Sequence, residues 1–422
     1  MRPDGESQWY FGWNVVAAAT LITLLTVGLR LGVGPFFLPL VQDLGISRGE
    51  LGAIVAVGML VYGLAAPLAG HLAQTHGARF TLLLGTVITV IALAWSVLTK
   101  SVPAFAIAFG PLLSVGLTLT SPVALTPLIS RWFVRQRGKA LFYLSTGSMA
   151  GIAVMTPVLT LGVEQIGWRA TLVAFAILFV ILVVPASLLV IRENPPEGAD
   201  SDGQTATAAS SAVLAPLAGL GNLRAMRTSY FWKITAGLFA CGFSMNLLGT
   251  QGVPMLVDHG FDPLVASLGI GLIGLVAIAG TVTLGQLADR VPRRTLLSLI
   301  YLIRALGFIG LLVAVQRWQL YAVAVIAGLV WAGSIALSSA ILADLFGVRM
   351  VGVLYGWAYL GHQVGATISS WLGGWGYEQF GTHWVSFGAA ALVLLVAGLV
   401  VLRLPTSFDQ VPTPPSPARA AG

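Results

Sequence analysis

The sequence predicts an all-α polytopic membrane protein with twelve transmembrane helices in two six-helix halves. Of its 422 residues, 57% are hydrophobic and only 9% are charged, and the mean hydropathy is +0.90. Soluble globular proteins carry about 25% charged residues, and a soluble chain this apolar would expose large hydrophobic patches. The composition therefore excludes a single water-soluble domain, a disordered chain and a collagen-like one.

Twelve apolar runs are long enough to cross a bilayer, which requires about 20 residues each. They lack the period-two alternation of a membrane β-barrel, and the Gly and Pro residues within them are tolerated in membrane helices. The predicted spans, numbered one to twelve, are Trp13–Val41, Leu51–His71, Arg79–Leu98, Val102–Phe133, Gly138–Leu161, Arg169–Ile191, Tyr230–Val257, Leu264–Ala288, Arg294–Val315, Gln319–Leu345, Met350–Gly374 and Val385–Leu402.

A long polar break divides the spans into six and six. We expect an N-terminal half over residues 1–192, a cytoplasmic linker over 193–229, a C-terminal half over 230–404 and a disordered tail over 405–422. The linker is rich in Ala, Ser, Thr, Gly and Pro, which is typical of flexible segments.

The basic residues predict the orientation. With both termini on one side, that side holds sixteen of the 22 Lys and Arg residues and the other side holds four, while Arg30 and Arg304 fall within spans. Because basic residues favour cytoplasmic loops, we expect a multi-pass protein of the plasma (inner) membrane with both termini in the cytoplasm. The net charge of +7 is assigned to this bias and not to nucleic-acid binding.

A sequence repeat lies 215 residues apart in the two halves, after span two and after span eight. The copies run from Gly70 to Arg79 and from Gly285 to Arg294. A parallel repeat of six-helix halves is a transporter architecture whose substrate site lies between the halves, near the bilayer midplane.

In these residues the chain resembles the major facilitator superfamily, whose signature is Gly-x-x-x-Asp-Arg-x-x-Arg-Arg. The first copy has Gln74 where Asp is usual, so we expect its conformational latch to be weaker. The resemblance implies the major facilitator fold and assigns a conformational role to Gly70, Gly77, Arg79, Gly285, Asp289, Arg290, Arg293 and Arg294.

A narrower resemblance is to the monocarboxylate-transporter branch, including its oxalate–formate-antiporter-like relatives. It rests on three stretches, which are Tyr10–Phe37, Ser47–Leu51 and Arg131–Gly151. It implies transport of small organic anions. One departure is Thr281, which stands in span eight where the branch usually has an arginine. Thr281 lies eleven residues before Pro292 and Arg304 lies twelve after it, so at 1.5 Å per residue both are roughly 17 Å deep. Arg304 is therefore a candidate replacement for that arginine.

Arg30 and Arg304 are the principal site candidates. No acidic residue falls deep in a predicted span, and an arginine at the bilayer centre costs about 2.5–3.5 kcal/mol. A substrate carboxylate would match the planar, two-pronged guanidinium. The alternative is that each arginine snorkels or caps carbonyl groups at a helix kink.

Polar side chains of spans five, seven, ten and eleven complete the predicted substrate site. His362 is also a candidate proton carrier, because histidine titrates near neutral pH; the alternative is a packing role. Amides and aromatic side chains within membrane spans also serve as helix contacts. The residues are Tyr143, Ser145, Asn246, Trp331, Tyr359, His362 and Gln363.

The sequence shows no sign of an enzyme, a cofactor or a metal. Gly138-Lys139-Ala lacks the flanking residues of a phosphate loop, and the histidines lack metal-ligand spacing. We expect a monomeric secondary transporter of small organic anions, with monocarboxylates as the favoured class, whose partners are its substrate and membrane lipids. The alternatives are an exporter of drug-like or aromatic compounds and a transport-inactive sensor or scaffold.

Overall fold

The computed structural model describes residues 10–133, 136–194, 222–288 and 290–405. Most of the predicted linker and tail, and Asp289, lie outside these residues. Throughout the described ranges the secondary structure is helical, without a β-strand. Within the described residues, ten helices are long and apolar enough to cross a membrane. One of the ten is a continuous helix that Gly167 divides into two spans, and Val348–Phe380 is a further, more polar helix, so the described part of the chain contains twelve spans.

The predicted spans are confirmed, with internal breaks that the sequence did not predict. Span one consists of two helical segments, span four is interrupted by a π-helical turn at Ala108–Leu112, and span ten consists of two segments. The spans are Gly12–Leu31 with Gly34–Leu44, Arg48–Thr75, Ala78–Leu98, Val102–Trp132, 137–166, 168–190, Ser229–Asp258, Pro263–Ala288, Arg293–Val313, Arg317–Leu329 with Gly333–Phe346, Val348–Phe380 and Trp384–Val401.

Local sequence explains two of the sharp boundaries. Span two begins at a capping box, in which the Ser47 hydroxyl accepts from the Glu50 amide at 3.0 Å and the Glu50 carboxylate accepts from the Ser47 amide at 2.8 Å. This arrangement satisfies amides that the first helical turn leaves without partners. Gly167 has a φ of 79°, a left-handed conformation that glycine adopts without steric cost, and it separates spans five and six.

Each half has its own apolar core, and the two cores touch. The N-terminal core also contains Ala366 of span eleven, whereas the C-terminal core also contains Leu31 of span one and Met149 of span five. Many large apolar side chains remain exposed on the outer surface, including Leu64 at 61% and Leu98 at 80%. In a bilayer these side chains contact lipid, so their exposure carries no penalty.

The halves meet tightly at one end of the bundle, which we call the closed end. There Gly374 of span eleven packs against the Arg48 carbonyl so closely that no side chain would fit. Towards the opposite end, which we call the open end, one face of the same helix is uncovered, and a Cβ on Gly352 or Gly356 would meet no atom within 4 Å. The described helices therefore adopt a conformation that is closed at one end and open at the other.

Candidate functional site

The break in span one places Arg30 between the halves. The first segment ends at Leu31, and Gly32 has the non-helical angles φ −92° and ψ 27°. Arg30 lies in the last turn of this segment, where a cation interacts favourably with the negative end of the helix dipole. Broken helices near the midplane are typical of the substrate sites of transporters.

The Arg30 guanidinium is buried among neutral groups. Its side chain is 9% exposed. One terminal nitrogen lies 3.3 Å from Oε1 of Gln363 in span eleven and 3.6 Å from the Met59 sulfur, and the group lies 3.8 Å from the centre of the Tyr62 ring. Its Nε has no hydrogen-bond partner among the described residues. Within the same residues, no carboxylate forms an ion pair with it.

Span eleven contributes a connected row of polar and aromatic side chains. Gln363 is fully buried, and its Oε1 lies 3.0 Å from Nδ1 of His362. The His362 ring stacks on Tyr359 at 4.8 Å, and Tyr359 stacks on Tyr355 at 5.8 Å. In the part of the chain that the structure describes, His362 Nε2 and Gln363 Nε2 have no hydrogen-bond partner. The structure thus brings Tyr359, His362 and Gln363 together beside Arg30.

Asn246 of span seven is buried next to this row. Its amide nitrogen donates to the Gly242 carbonyl at 3.0 Å, and Gly242 packs directly against the His362 backbone. The Asn246 Oδ1 has no partner in the described ranges. One end of the amide therefore holds its own helix, while the other end is a buried acceptor.

Arg304 occupies the break in span ten. It is fully buried, and one terminal nitrogen donates to the Trp331 carbonyl, to the Val330 carbonyl at 3.4 Å and to the Ser334 hydroxyl at 3.3 Å. The other terminal nitrogen lies 3.4 Å from the Ser244 hydroxyl. These contacts match the alternative in which the arginine caps carbonyl groups at a helix kink. The last carbonyls of a helix have no intrahelical partner and need donors from elsewhere.

Trp331 packs on the same guanidinium, with the ring centre 4.8 Å away. It is 2% exposed, and its Nε1 has no hydrogen-bond partner within the described residues. Thr281, at a similar predicted depth, donates to the carbonyl of Ala277 in its own helix at 2.7 Å.

Tyr143 and Ser145 are not brought to the Arg30 cluster. The Tyr143 carbonyl accepts from Thr20 of span one at 3.2 Å, ten residues before Arg30, which corresponds to roughly 15 Å along a helix. Tyr143 is 42% exposed and packs edge-to-face on Trp13 at 5.8 Å. Both residues lie towards the open end, so a substrate held by Arg30 would meet them only on its path.

The two copies of the repeat make corresponding contacts, each within its own half. Arg79 donates to the Ser187 carbonyl at 2.9 Å and to the Leu188 carbonyl at the end of span six. Arg294 donates to the Leu404 carbonyl after span twelve. Gly77 has a φ of 91°, which explains the glycine at that position.

Only the second copy forms an ion pair in the described part of the chain. Arg293 contacts Asp344 of span ten at 2.5 Å, and Ala78 stands at the corresponding position of the first copy. The weaker first latch expected from Gln74 stays a prediction. Arg290 and Gly285 are exposed and Gly70 is half-buried towards the open end, where a Cβ added to either glycine would meet little or nothing.

The sequence did not predict an ionic cluster at the closed end that joins the halves. Arg48 contacts Asp258 at the end of span seven through two bonds of 2.5 and 3.0 Å, and His383 contacts the same carboxylate at 2.8 Å. Glu378 accepts from the Gly49 amide at 2.9 Å. Arg48 is one of only four basic residues on its predicted side of the membrane, and this rarity was the one feature of the sequence that could have pointed to the cluster.

Comparison with protein families agrees with this architecture. The model described as Major Facilitator Superfamily matches residues 16–316 and 234–421. The chain therefore belongs to the major facilitator superfamily, and it is a transporter and not an enzyme.

Curated relatives extend over almost the whole chain at low identity. Monocarboxylate transporter 11 of Homo sapiens is 28% identical, over 97% of this chain and 86% of its own. The oxalate:formate antiporter of Oxalobacter formigenes is 23% identical, over 93% of each chain. An uncharacterised transporter of this superfamily from Bacillus subtilis is 25% identical, over 89% of this chain and 90% of its own. The resemblance predicted from the sequence is confirmed.

A solved structure shares the fold. A bacterial homologue of the human lysosomal transporter Spinster, in an inward-facing and occupied conformation, superimposes with a TM-score of 0.69 at 17% identity, covering 94% of this chain and 97% of its own. The predicted twelve-helix major facilitator fold is confirmed.

Proposed function

We propose that the protein is a secondary transporter of small monocarboxylate anions, and that Arg30 binds the carboxylate. The observation that carries the proposal is the Arg30 guanidinium, which is buried at the contact between the halves and has neutral partners only among the described residues. A charge within the membrane region is costly and typically marks a substrate or ion pathway. The curated relatives include a monocarboxylate transporter and an oxalate:formate antiporter.

The chemistry of Arg30 suits a carboxylate better than any neutral ligand. A guanidinium offers two parallel N–H donors that match the two oxygens of a carboxylate. At present the Gln363 Oε1 occupies one of these directions at 3.3 Å, a long distance for such a bond. A carboxylate would replace this neutral acceptor with a charged one and would leave the Gln363 amide free to turn and donate.

Arg304 has a different role in this proposal. Its guanidinium donates to two backbone carbonyls of span ten, although its Nε, like that of Arg30, has no partner among the described residues. It stabilises the break in span ten and thereby fixes the wall that carries Trp331. Asn246, Tyr359, His362 and Gln363 complete the binding site around Arg30, and Tyr143 and Ser145 line its approach.

Transport follows from alternating access. The open end admits the anion to Arg30, and release on the other side requires the closed-end contacts to separate while the open end closes. Because Arg30 belongs to span one and Gln363 to span eleven, the bound anion contacts both halves and is sensitive to their relative position.

The proposed setting is the plasma (inner) membrane, with both termini in the cytoplasm and the chain acting as a monomer. The sixteen-to-four distribution of basic residues supports this orientation. In this orientation the open end faces the cytoplasm. His362 is the proposed proton-coupling residue, because histidine is the side chain that ordinarily titrates between pH 5 and 8.

An exporter of drug-like or aromatic compounds is the second candidate. The stacked row of Tyr355, Tyr359 and His362 favours it, because aromatic faces stack on aromatic ligands. The buried Arg30 cation disfavours cationic drugs, so the substrates expected for this second function are aromatic anions.

Counterflow in proteoliposomes tests the proposed function. Vesicles loaded with an unlabelled short monocarboxylate should accumulate the labelled anion through the wild-type protein, and Arg30→Gln should abolish this flux. Arg317→Gln, which removes an exposed charge at the start of span ten, is the matched control and should retain it. Absence of monocarboxylate flux in the wild type, or full flux in Arg30→Gln, would overturn the proposal.

A further inference from the structure

A small cavity beside Arg30 lies entirely within the N-terminal half, between spans one, two and four. Its volume is about 30 Å³, which is room for one or two water-sized groups. Its lining is mainly apolar, and the residues with polar side-chain groups on its wall are Arg30, Tyr62 and Ser114. The apolar lining includes Val33, Phe36, Val55, Phe109, Leu113 and Leu117.

Two helix irregularities form this cavity. The break in span one after Leu31 opens one wall. The π-helical turn Ala108–Leu112, which contains Pro111, contributes Phe109 to the lining. Single π-helical turns are rare and occur frequently at functional sites. Spans one and four both depart from a regular α-helix beside this cavity.

Arg30 connects the cavity to the anion site. Its Nε is buried without a hydrogen-bond partner among the described residues, and its guanidinium is packed between Tyr62 and Met59. A ligand carboxylate on this guanidinium would have its neighbouring carbon atoms within reach of the apolar wall. A second carboxylate in the same place would be desolvated without a second cation to compensate it, which is costly.

We propose that this cavity is the subsite for the apolar group of the substrate and that it limits this group to one or two carbon atoms. The inference rests on the proposed function and specifies its substrate as a short monocarboxylate. Phe36 and Phe109 close the cavity, while Leu113 and Leu117 of span four determine how long a chain fits.

A chain-length series on the purified full-length protein tests the subsite. Calorimetric affinities should rise from formate through acetate to propionate, by about fourfold for each buried methylene, and should fall from butyrate onwards. Malonate, in which a carboxylate replaces the propionate methyl, should bind more weakly than propionate. Equal affinity for malonate and propionate would overturn the subsite.

Leu113→Ala should enlarge the cavity and move the optimum to longer chains. Relative to acetate, butyrate should gain about fourfold and valerate about fifteenfold over the wild type. Leu119→Ala is the matched control, because Leu119 is equally buried in span four but does not line the cavity; its optimum should stay at propionate. Leu117→Ala is a second enlarging variant should Leu113→Ala fail to fold.

The outcomes separate the two proposals. If the wild type binds no monocarboxylate, the proposed function fails. If monocarboxylates bind through Arg30 but the optimum is the same in the wild type, Leu113→Ala and Leu117→Ala, only the subsite fails. An optimum that moves equally in Leu119→Ala would likewise overturn the subsite, since the effect would come from general loosening of span four.

Discussion

Replacing Arg30 with lysine separates the charge of the guanidinium from its two-pronged shape. Lysine keeps the positive charge but presents a point charge that cannot donate two parallel bonds to one carboxylate. In the structure Arg30 has a long bond to a neutral amide oxygen at 3.3 Å and a contact with the Met59 sulfur at 3.6 Å, and its Nε has no partner within the described residues. The substitution should therefore lower the stability of the protein without ligand only slightly, whereas it should lower the affinity for a carboxylate strongly.

The expected loss follows from the bond that disappears. A hydrogen bond to a charged group contributes about 1.5–3 kcal/mol, so Arg30→Lys should weaken carboxylate binding by roughly tenfold to over a hundredfold. Replacing the carboxylate of the ligand with an amide should weaken wild-type binding to a similar extent. The two losses should not add, because both changes remove the same interaction.

Calorimetry of acid and amide against both proteins completes this double-mutant cycle. Arg304→Lys is the control: it should lower the melting temperature, because Arg304 donates to the Val330 and Trp331 carbonyls, but it should leave the preference for acid over amide unchanged. Simple additivity of the losses at Arg30 would refute its place in the site. If Arg304→Lys instead lost the preference for the acid over the amide, Arg304 would be a carboxylate ligand.

Three further predictions concern coupling, gating and orientation. His362→Gln should flatten the pH dependence of uptake and leave counterflow intact, whereas equal loss of both activities would indicate a packing or binding role instead. Asp258→Asn should widen spin-label distances between the halves at the closed end, because it breaks the pair with Arg48. Asp43→Asn, which breaks a pair at 2.7 Å within the N-terminal half, should leave those distances unchanged, and an equal widening in both variants would exclude a gating role. Reporter fusions at residue 210 and at the C-terminus should both indicate the cytoplasm, and an external reading at either position would contradict the twelve-span orientation.

The sequence alone determined the class of this protein and most of its architecture. Apolar runs of about 20 residues must form helices in a bilayer, because no water is present to satisfy exposed backbone groups. Composition and run length therefore predict the twelve spans before any contact is known. The repeat at Gly70 and Gly285 predicted the two halves. In the structure the arginine of each copy donates to a carbonyl at the end of another helix of the same half.

Which polar residues share a site was decided by tertiary structure. The sequence alone did not decide which of Arg30 and Arg304 faces the site, because both are single cations within apolar runs. Their neighbours come from helices remote in sequence, and these differ: Arg30 meets a side-chain amide of the opposite half at 3.3 Å, whereas Arg304 meets the backbone of a broken helix. A helix break leaves carbonyl groups without intrahelical partners, and the residue pattern did not indicate where such a break occurs.

The closed-end cluster and the cavity beside Arg30 also required the folded structure. Arg48 and Asp258 are 210 residues apart, and only the packing of span eleven against span two brings the two halves close enough for the pair to form. The cavity depends on a break in span one and a π-helical turn in span four that coincide in depth. Hydropathy and spacing describe each helix separately, but how two helices align is decided by side-chain packing between them, which is why the sequence predicted the spans and the structure decided the site.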